Sequence, residues 1–284
     1  MRTSWSVPAT RMLISVVPLA VREISARWSR QLGSWAIPET VLAAAPESPW
    51  GFPPSLFART AERALAEVAF TPSRRRAAEA VPTRGSVLDI GAGGGAASLP
   101  LAPPAGHLVA VDESQIMLDV FAEAAERRGV PYKVIVGCWP AVAPEAPNAD
   151  VVVCHHVLYN VADLAPFVTA LDRHAERRVV VEMTERHPQG DLTPLWSAIH
   201  GIDRPTEPSA ADAAELAAAL GYDVHVERFE GSALWHELPR AEGIAFARRR
   251  LCVGPEYDAE IGAYIDETAD LARQLVTLWW DTAS

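Results

Sequence analysis

The run Val87-Leu88-Asp89-Ile90-Gly91-Ala92-Gly93-Gly94-Gly95 constrains this chain more than any other stretch. An apolar segment runs straight into a cluster of glycines, which reads as a buried strand breaking into a tight turn. Seventeen residues beyond Gly95 the acidic pair Asp112-Glu113 closes a second apolar segment, Leu108–Val111. Strand, glycine turn, crossover, strand and acid is the order of a nucleotide-binding βαβ unit. Glycine lets the backbone approach a ligand that a Cβ would push away. The acid is placed to accept hydrogen bonds from ribose hydroxyls.

The glycines alone do not say which nucleotide. Asp89, Gly91, Gly93 and Gly95 follow the pattern Asp-x-Gly-x-Gly-x-Gly, while Gly91, Gly93 and Ala96 also satisfy the dinucleotide pattern Gly-x-Gly-x-x-Gly/Ala. Asp89 separates the two readings. A carboxylate there suits a cationic or ammonium-bearing ligand and repels a pyrophosphate. On these residues the chain resembles the class I S-adenosylmethionine-dependent methyltransferases, over roughly residues 80–235 and the last strand. The resemblance implies a Rossmann-like, doubly wound α/β fold with a seven-stranded sheet. It also implies S-adenosyl-L-methionine as cofactor.

The strand candidates fit that fold. Ser86–Ile90, Leu108–Val111, Lys133–Val136, Val151–Cys154 and Arg178–Met183 are short and nearly continuous in apolar character. Such segments are expected to be buried on both faces of a parallel sheet. Helices are predicted at Ile116–Arg128, Leu164–Ala175 and Ala210–Leu220, the last capped by Ser209 and stopped by Gly221. Asp223–Phe229 reads as a sixth strand and Leu275–Trp280 as a seventh. In the resembled family the last strand runs antiparallel to the sixth, which makes residues 238–273 a helical insertion. Residues 1–80 are predicted as an N-terminal helical cap, with helices at Val21–Leu32 and Pro54–Phe70 around a proline-rich loop that carries Trp50 and Phe52. Residues 81–284 form the methyltransferase domain.

Composition excludes some functions. A formal net charge of −11 disfavours a nucleic-acid surface, because phosphate binding needs clustered cations. The triplets Arg74-Arg75-Arg76 and Arg248-Arg249-Arg250 are short and read as solvated helix ends. Three cysteines, Cys138, Cys154 and Cys252, form no disulfide framework, which fits a reducing cytoplasm. No metal site is expected: in the pair His155-His156 adjacent strand residues should face opposite ways and chelate poorly. The apolar run Met12–Val21 is interrupted by Pro18 and is too short to span a membrane. Apolar helices at both ends suit a homodimer.

Ligands of open α/β sheets lie beyond the carboxyl ends of the strands. By resemblance, Asp89 organises the turn and reaches the ligand's amino group. Asp112 holds the ribose, with Glu113 as the alternative. Met117 packs against adenine or in the core. Gly137-Cys138-Trp139 follows the third strand, where many family members carry an acid near Cys138 and this chain has none. Trp139 either stacks on adenine or packs. His155, His156 and Tyr159 follow the fourth strand, where the family places groups facing the transferred methyl. His156 and Tyr159 are the catalytic candidates and His155 a cofactor contact. Glu182, Thr184, Glu185, Arg186, His187, Trp196, His200 and Arg204 are candidates for the substrate wall. The resulting expectation is methyl transfer to a small-molecule acceptor by in-line displacement, achieved mainly by alignment in a closed pocket. The alternatives are an NAD(P)-binding oxidoreductase and a non-catalytic cofactor-binding module of the same fold.

Overall fold

Three segments supply the centre of the sheet because almost every side chain in them is apolar and buried: β1 (Ser86–Ile90), β2 (His107–Asp112) and β4 (Ala149–His155). β3 (Tyr132–Val136), β5 (Ala175–Thr184), β6 (His225–Gly231) and β7 (Arg273–Asp281) complete a seven-stranded sheet of order β3-β2-β1-β4-β5-β7-β6. β1 to β5 are parallel, whereas β7 runs antiparallel to both β5 and β6. The computed structural model describes residues 18–50, 54–66, 70–231 and 238–283. Phe52 lies outside the described residues, as do residues 67–69 of the expected Pro54–Phe70 helix and most of the Met12–Val21 run.

Ten helices are described. α1 (Leu19–Gly33), α6 (Leu164–His174) and α8 (Ala210–Ala219) pack together over one face of the sheet. α4 (Pro72–Ala80) and α5 (Gln115–Arg127) cover the other, with α3 (Pro54–Ala66) against α5. The alternation of β4 and β5 divides their side chains between the two layers: Val152 and Val181 point to the first, Val153 and Val180 to the second. A third core lies off the sheet. α7 (Thr193–His200), α9 (Arg240–Arg250) and α10 (Asp258–Glu267) build it around Trp196, Phe246 and Ile261, with Ile37 and Leu56 from the N-terminal region. α2 (Glu39–Ala44) is a single short turn beside it. α8 begins at a capping box in which Ser209 and Asp212 exchange bonds, and it ends before Gly221 at φ +99°. Among the described residues, no helix is long and apolar enough to cross a membrane.

Two expectations are corrected. The five strand candidates are not all buried on both faces: β3 lies at an edge of the sheet, and its Val136 is 46% exposed. The arginine triplets are not plain solvated helix ends. Arg74 is buried and donates to the Ala64 carbonyl at 2.8 Å, while Arg75 and Arg76 pair with Glu227 of β6. Arg250 is likewise buried, donates to the Pro49 carbonyl and lies 5.1 Å from the Phe246 ring centre. One arginine of each triplet thus ties the N-terminal region down.

Trp28 docks α1. Its ring is fully buried, its indole N–H donates to Val161 at 2.8 Å, and it stacks on Tyr159 with ring centres 5.8 Å apart. Removing it deletes a large core side chain and leaves that carbonyl unpaired. We expect Trp28→Ala to cost about 3–5 kcal/mol in urea unfolding; a loss under about 1 kcal/mol would mean that α1 is not anchored there.

Candidate active site

The glycine turn follows β1 because its backbone enters the left-handed region three times, at Gly91 (φ +70°), Gly93 (+51°) and Gly95 (+87°). Two of these glycines also have no room for a side chain. A Cβ at Gly91 would lie 2.3 Å from Val157 Cγ2, and one at Gly95 would lie 2.6 Å from Leu99 and 2.7 Å from Phe121. The first contact joins two loops: the turn after β1 and the segment after β4 touch directly.

Asp89 sits at the base of the turn and is 1% exposed. Its Oδ2 accepts from the Ser98 hydroxyl at 2.6 Å, and its Oδ1 is buried with no partner among the described residues. Burial, opposed by the Ser98 bond and helped by the nearby Asp112 charge, pushes the carboxyl up to about 7. Asp112, at the end of β2, accepts from the Gly93 N–H through Oδ2 and from the Ser114 N–H through Oδ1, both at 2.9 Å. It therefore stitches the first loop to the second. Each of its oxygens keeps lone pairs for a further donor. Glu113 is exposed and Met117 half-buried on the first turn of α5.

After β3, Gly137 donates to the Asp112 carbonyl at 2.9 Å. Cys138 is exposed, whereas Trp139 is buried, edge-on to His174 with ring centres 4.9 Å apart. Of the two readings of Trp139, packing is the one its position supports: the ring joins the core under α6 and does not stand open at the sheet edge.

The segment after β4 departs from the sequence expectation. His155 and His156 do not face opposite ways. His156 leaves the strand at φ +60°, and this left-handed step turns it back toward β5. Both rings then meet Glu182: His156 Nε2 lies 3.1 Å and His155 Nδ1 4.0 Å from Oε1. His155 is largely buried, and burial drives its imidazole down to about 4 despite the Glu182 charge. Burial works against the Glu182 carboxylate, but the two histidines and a bond from Ser73 hold it down to about 2. Ser73, on α4, also shares a 2.6 Å bond with Thr277 of β7. The sequence named Glu182 only as a wall candidate and missed Ser73 and Thr277. No local pattern marks them, because they meet only when β4, β5, β7 and α4 assemble. Among the described residues, no group of three or more His, Cys, Asp or Glu is arranged to hold a metal ion.

Tyr159 is not open to a reacting methyl. It is buried, and its hydroxyl donates to the carbonyls of Thr184 (3.0 Å) and Glu185 (3.2 Å). Burial and the neighbouring Glu185 and Asp212 charges raise its pKa well beyond the usual phenol range. Its ring instead joins an aromatic wall with Trp28, His187 and Trp35, where His187 stacks on Trp35 at 4.0 Å. Arg204 is buried between Trp35 and Trp196, at 5.2 and 4.8 Å. The other wall candidates are elsewhere. Glu185 pairs with Arg228 near the surface, Arg186 is exposed, and His200 bonds the Leu251 carbonyl at 2.7 Å.

The sheet order, the antiparallel β7 and the glycine turn facing the ends of β2 and β4 define the class I methyltransferase fold. The methyltransferase-domain family matches residues 87–177, from β1 into β5. That match spans about a third of the chain, and the chain has the fold of the class I methyltransferases. No curated protein matches it by sequence. It is similar to the solved structure of an S-adenosylmethionine-dependent methyltransferase from Thiobacillus denitrificans in complex with S-adenosyl-L-homocysteine, at 18% identity and a TM-score of 0.51 over 82% of this chain and 99% of that one. It is similar to a protein from Galdieria sulphuraria described as a sarcosine dimethylglycine methyltransferase (13%, TM-score 0.52, 92% and 98% covered). It is also similar to coclaurine N-methyltransferase bound to N-methylheliamine and S-adenosyl-L-homocysteine (12%, TM-score 0.51, 92% and 95% covered). At these identities the likeness is one of fold.

His187 offers a test of the aromatic wall. Burial, with Arg204 and Arg273 nearby, lowers its pKa from 6.5 to about 3. Between those values the unfolded chain binds a proton that the folded one refuses, so stability falls as the pH falls. We expect His187→Phe to reduce that slope by about 1.4 kcal/mol per pH unit between pH ~6 and ~4. Urea unfolding across that range reads it, and an unchanged slope would mean that the ring is solvated.

Proposed function

We propose that this protein transfers the methyl group of S-adenosyl-L-methionine to a small-molecule acceptor by in-line displacement. The buried Asp89 Oδ1 without a partner carries the reading. A carboxylate in that position needs a cation or a donor, and an ammonium group supplies both. The positive-φ glycines beside it present backbone rather than side chain to a ligand. Bound there, S-adenosyl-L-methionine supplies a methyl group already activated by a positive sulfur.

The residues then divide the work. Asp89 takes the amino group, and Gly91, Gly93 and Gly95 keep the first loop thin. Asp112 receives the ribose hydroxyls on the lone pairs its two backbone donors leave free, with Glu113 at the rim. Met117 covers the adenine, with Cys138 at the edge and Trp139 supporting that loop from within. His155 backs the cofactor from the end of β4. The acceptor approaches on the side of His156, with the wall of Tyr159, His187 and Trp35 excluding water and favouring an apolar or aromatic molecule. The net charge of −11 favours small molecules over nucleic acid. Residues 1–80 serve as the cap of this site, and 238–273 as a helical insertion beside it.

Calorimetry with S-adenosyl-L-homocysteine tests the reading. Micromolar binding is expected, and Asp112→Ala should weaken it by about 1.5–3 kcal/mol, which is ten- to a hundredfold. A folded wild type that binds nothing would remove the proposal.

A further inference from the structure

Arg204 is a buried cation that, among the described residues, is paired with no carboxylate. It is 6% exposed and lies over the rings of Trp35 and Trp196. A guanidinium has five N–H groups. Arg204 gives one to the Trp35 carbonyl and one to the Ala36 carbonyl, while its buried Nε has no partner among the described residues. The indole faces attract the charge but accept no in-plane N–H. The group that favours the charge is the Cys252 thiol, which burial keeps protonated. Asp203 and Glu207, its acidic neighbours in sequence, bond Ser197 and Ser209 instead. Two further donors stand in the same cluster. Trp196 is fully buried, and its indole Nε1 has no partner among the described residues. His187 stacks on Trp35, and its Nδ1 accepts from the Gln189 N–H at 3.3 Å, so the neutral ring carries its proton on Nε2. The cluster lies just past Thr184, where β5 ends, and so at the same end of the parallel strands as the glycine turn. His187 meets Tyr159 of the segment after β4 edge-on at 5.2 Å.

We infer that this cluster receives a carboxylate of the methyl acceptor, with Arg204 as the residue that selects it, so that the acceptor is an aromatic or apolar carboxylic acid. The inference rests on the methyltransferase reading above. A buried cation without a counter-charge and buried donors without acceptors are both costly, and one anionic ligand relieves both. A carboxylate is planar and takes the edge of a guanidinium at two points. The rings around Arg204 suit an aromatic or apolar body on that acid. An uncharged acceptor leaves the guanidinium without a counter-charge, and a cationic one is repelled by it.

Calorimetry on the full chain saturated with S-adenosyl-L-homocysteine tests this with matched acids and amides: benzoate and benzamide, phenylacetate and phenylacetamide, indole-3-acetate and indole-3-acetamide. At least one acid is expected to bind about tenfold or more tighter than its amide, and Arg204→Gln should abolish that preference. Acids that bind no better than their amides, or that do not bind at all to a chain holding S-adenosyl-L-homocysteine, overturn the carboxylate subsite and leave the methyltransferase reading standing. Inorganic phosphate that competes as well as the acids makes this an unselective anion site and overturns the acid acceptor. A preference that survives in folded Arg204→Gln overturns the role of Arg204. A wild type that binds no S-adenosyl-L-homocysteine overturns both the methyltransferase reading and the acceptor. If Arg204→Gln does not fold, the comparison of acids with amides on the wild type decides alone.

Discussion

The missing Cβ at Gly91 is the contact on which the carboxyl edge of this sheet depends. It lets Val157 press against the turn after β1, so the loops of two neighbouring parallel strands share one space. Asp112 then ties the same turn to the end of β2 through Gly93, and Gly137 ties β3 to Asp112 through the backbone. Four loops are drawn into one rim by one tight contact and a few hydrogen bonds. A left-handed φ at each turn glycine makes the geometry affordable only for residues without a side chain.

Charge gives that rim its chemistry. Two carboxylates are buried within it, and neither meets an arginine in the bonds described. Asp89 has one hydroxyl and an empty oxygen, and burial raises it to about 7. Glu182 has two histidines and a serine, and is held down to about 2. The contrast is physical. A carboxylate with enough donors stays ionised in a low-dielectric site, and one without them leans toward its neutral form until a cation arrives. The first is short of donors, and the second is a fixed charge beside two imidazoles.

Much of the fold was legible in the sequence. Near-continuous apolar runs marked β1, β2, β4 and β5 because burial on both faces demands it, and Ser209 with Gly221 marked both ends of α8. The misreadings share a cause. The edge strand β3 looks like a central one in composition, and only the strand order exposes it. Arg74 and Arg250 look like solvated charge, and only the placement of Ala64 and Pro49 buries them. Tyr159 sits at a site position by count along the chain, yet its ring belongs to the core.

The sequence by itself determined the glycine turn, the acid after β2 and the parallel sheet, because each follows from a local requirement: a φ that only glycine tolerates well, a spacing along the chain, a run of buried side chains. Tertiary structure alone decided which polar groups meet. Strand alternation predicts that His155 and His156 part company, and they do not, because one left-handed residue at the end of β4 turns His156 onto β5. Ser73, Thr277 and Glu182 are separated by up to 204 residues and converge only through the order in which β4, β5 and β7 lie beneath α4. Periodicity fixes the face a side chain takes within its own element, and the packing of one element on another fixes the partner it finds there.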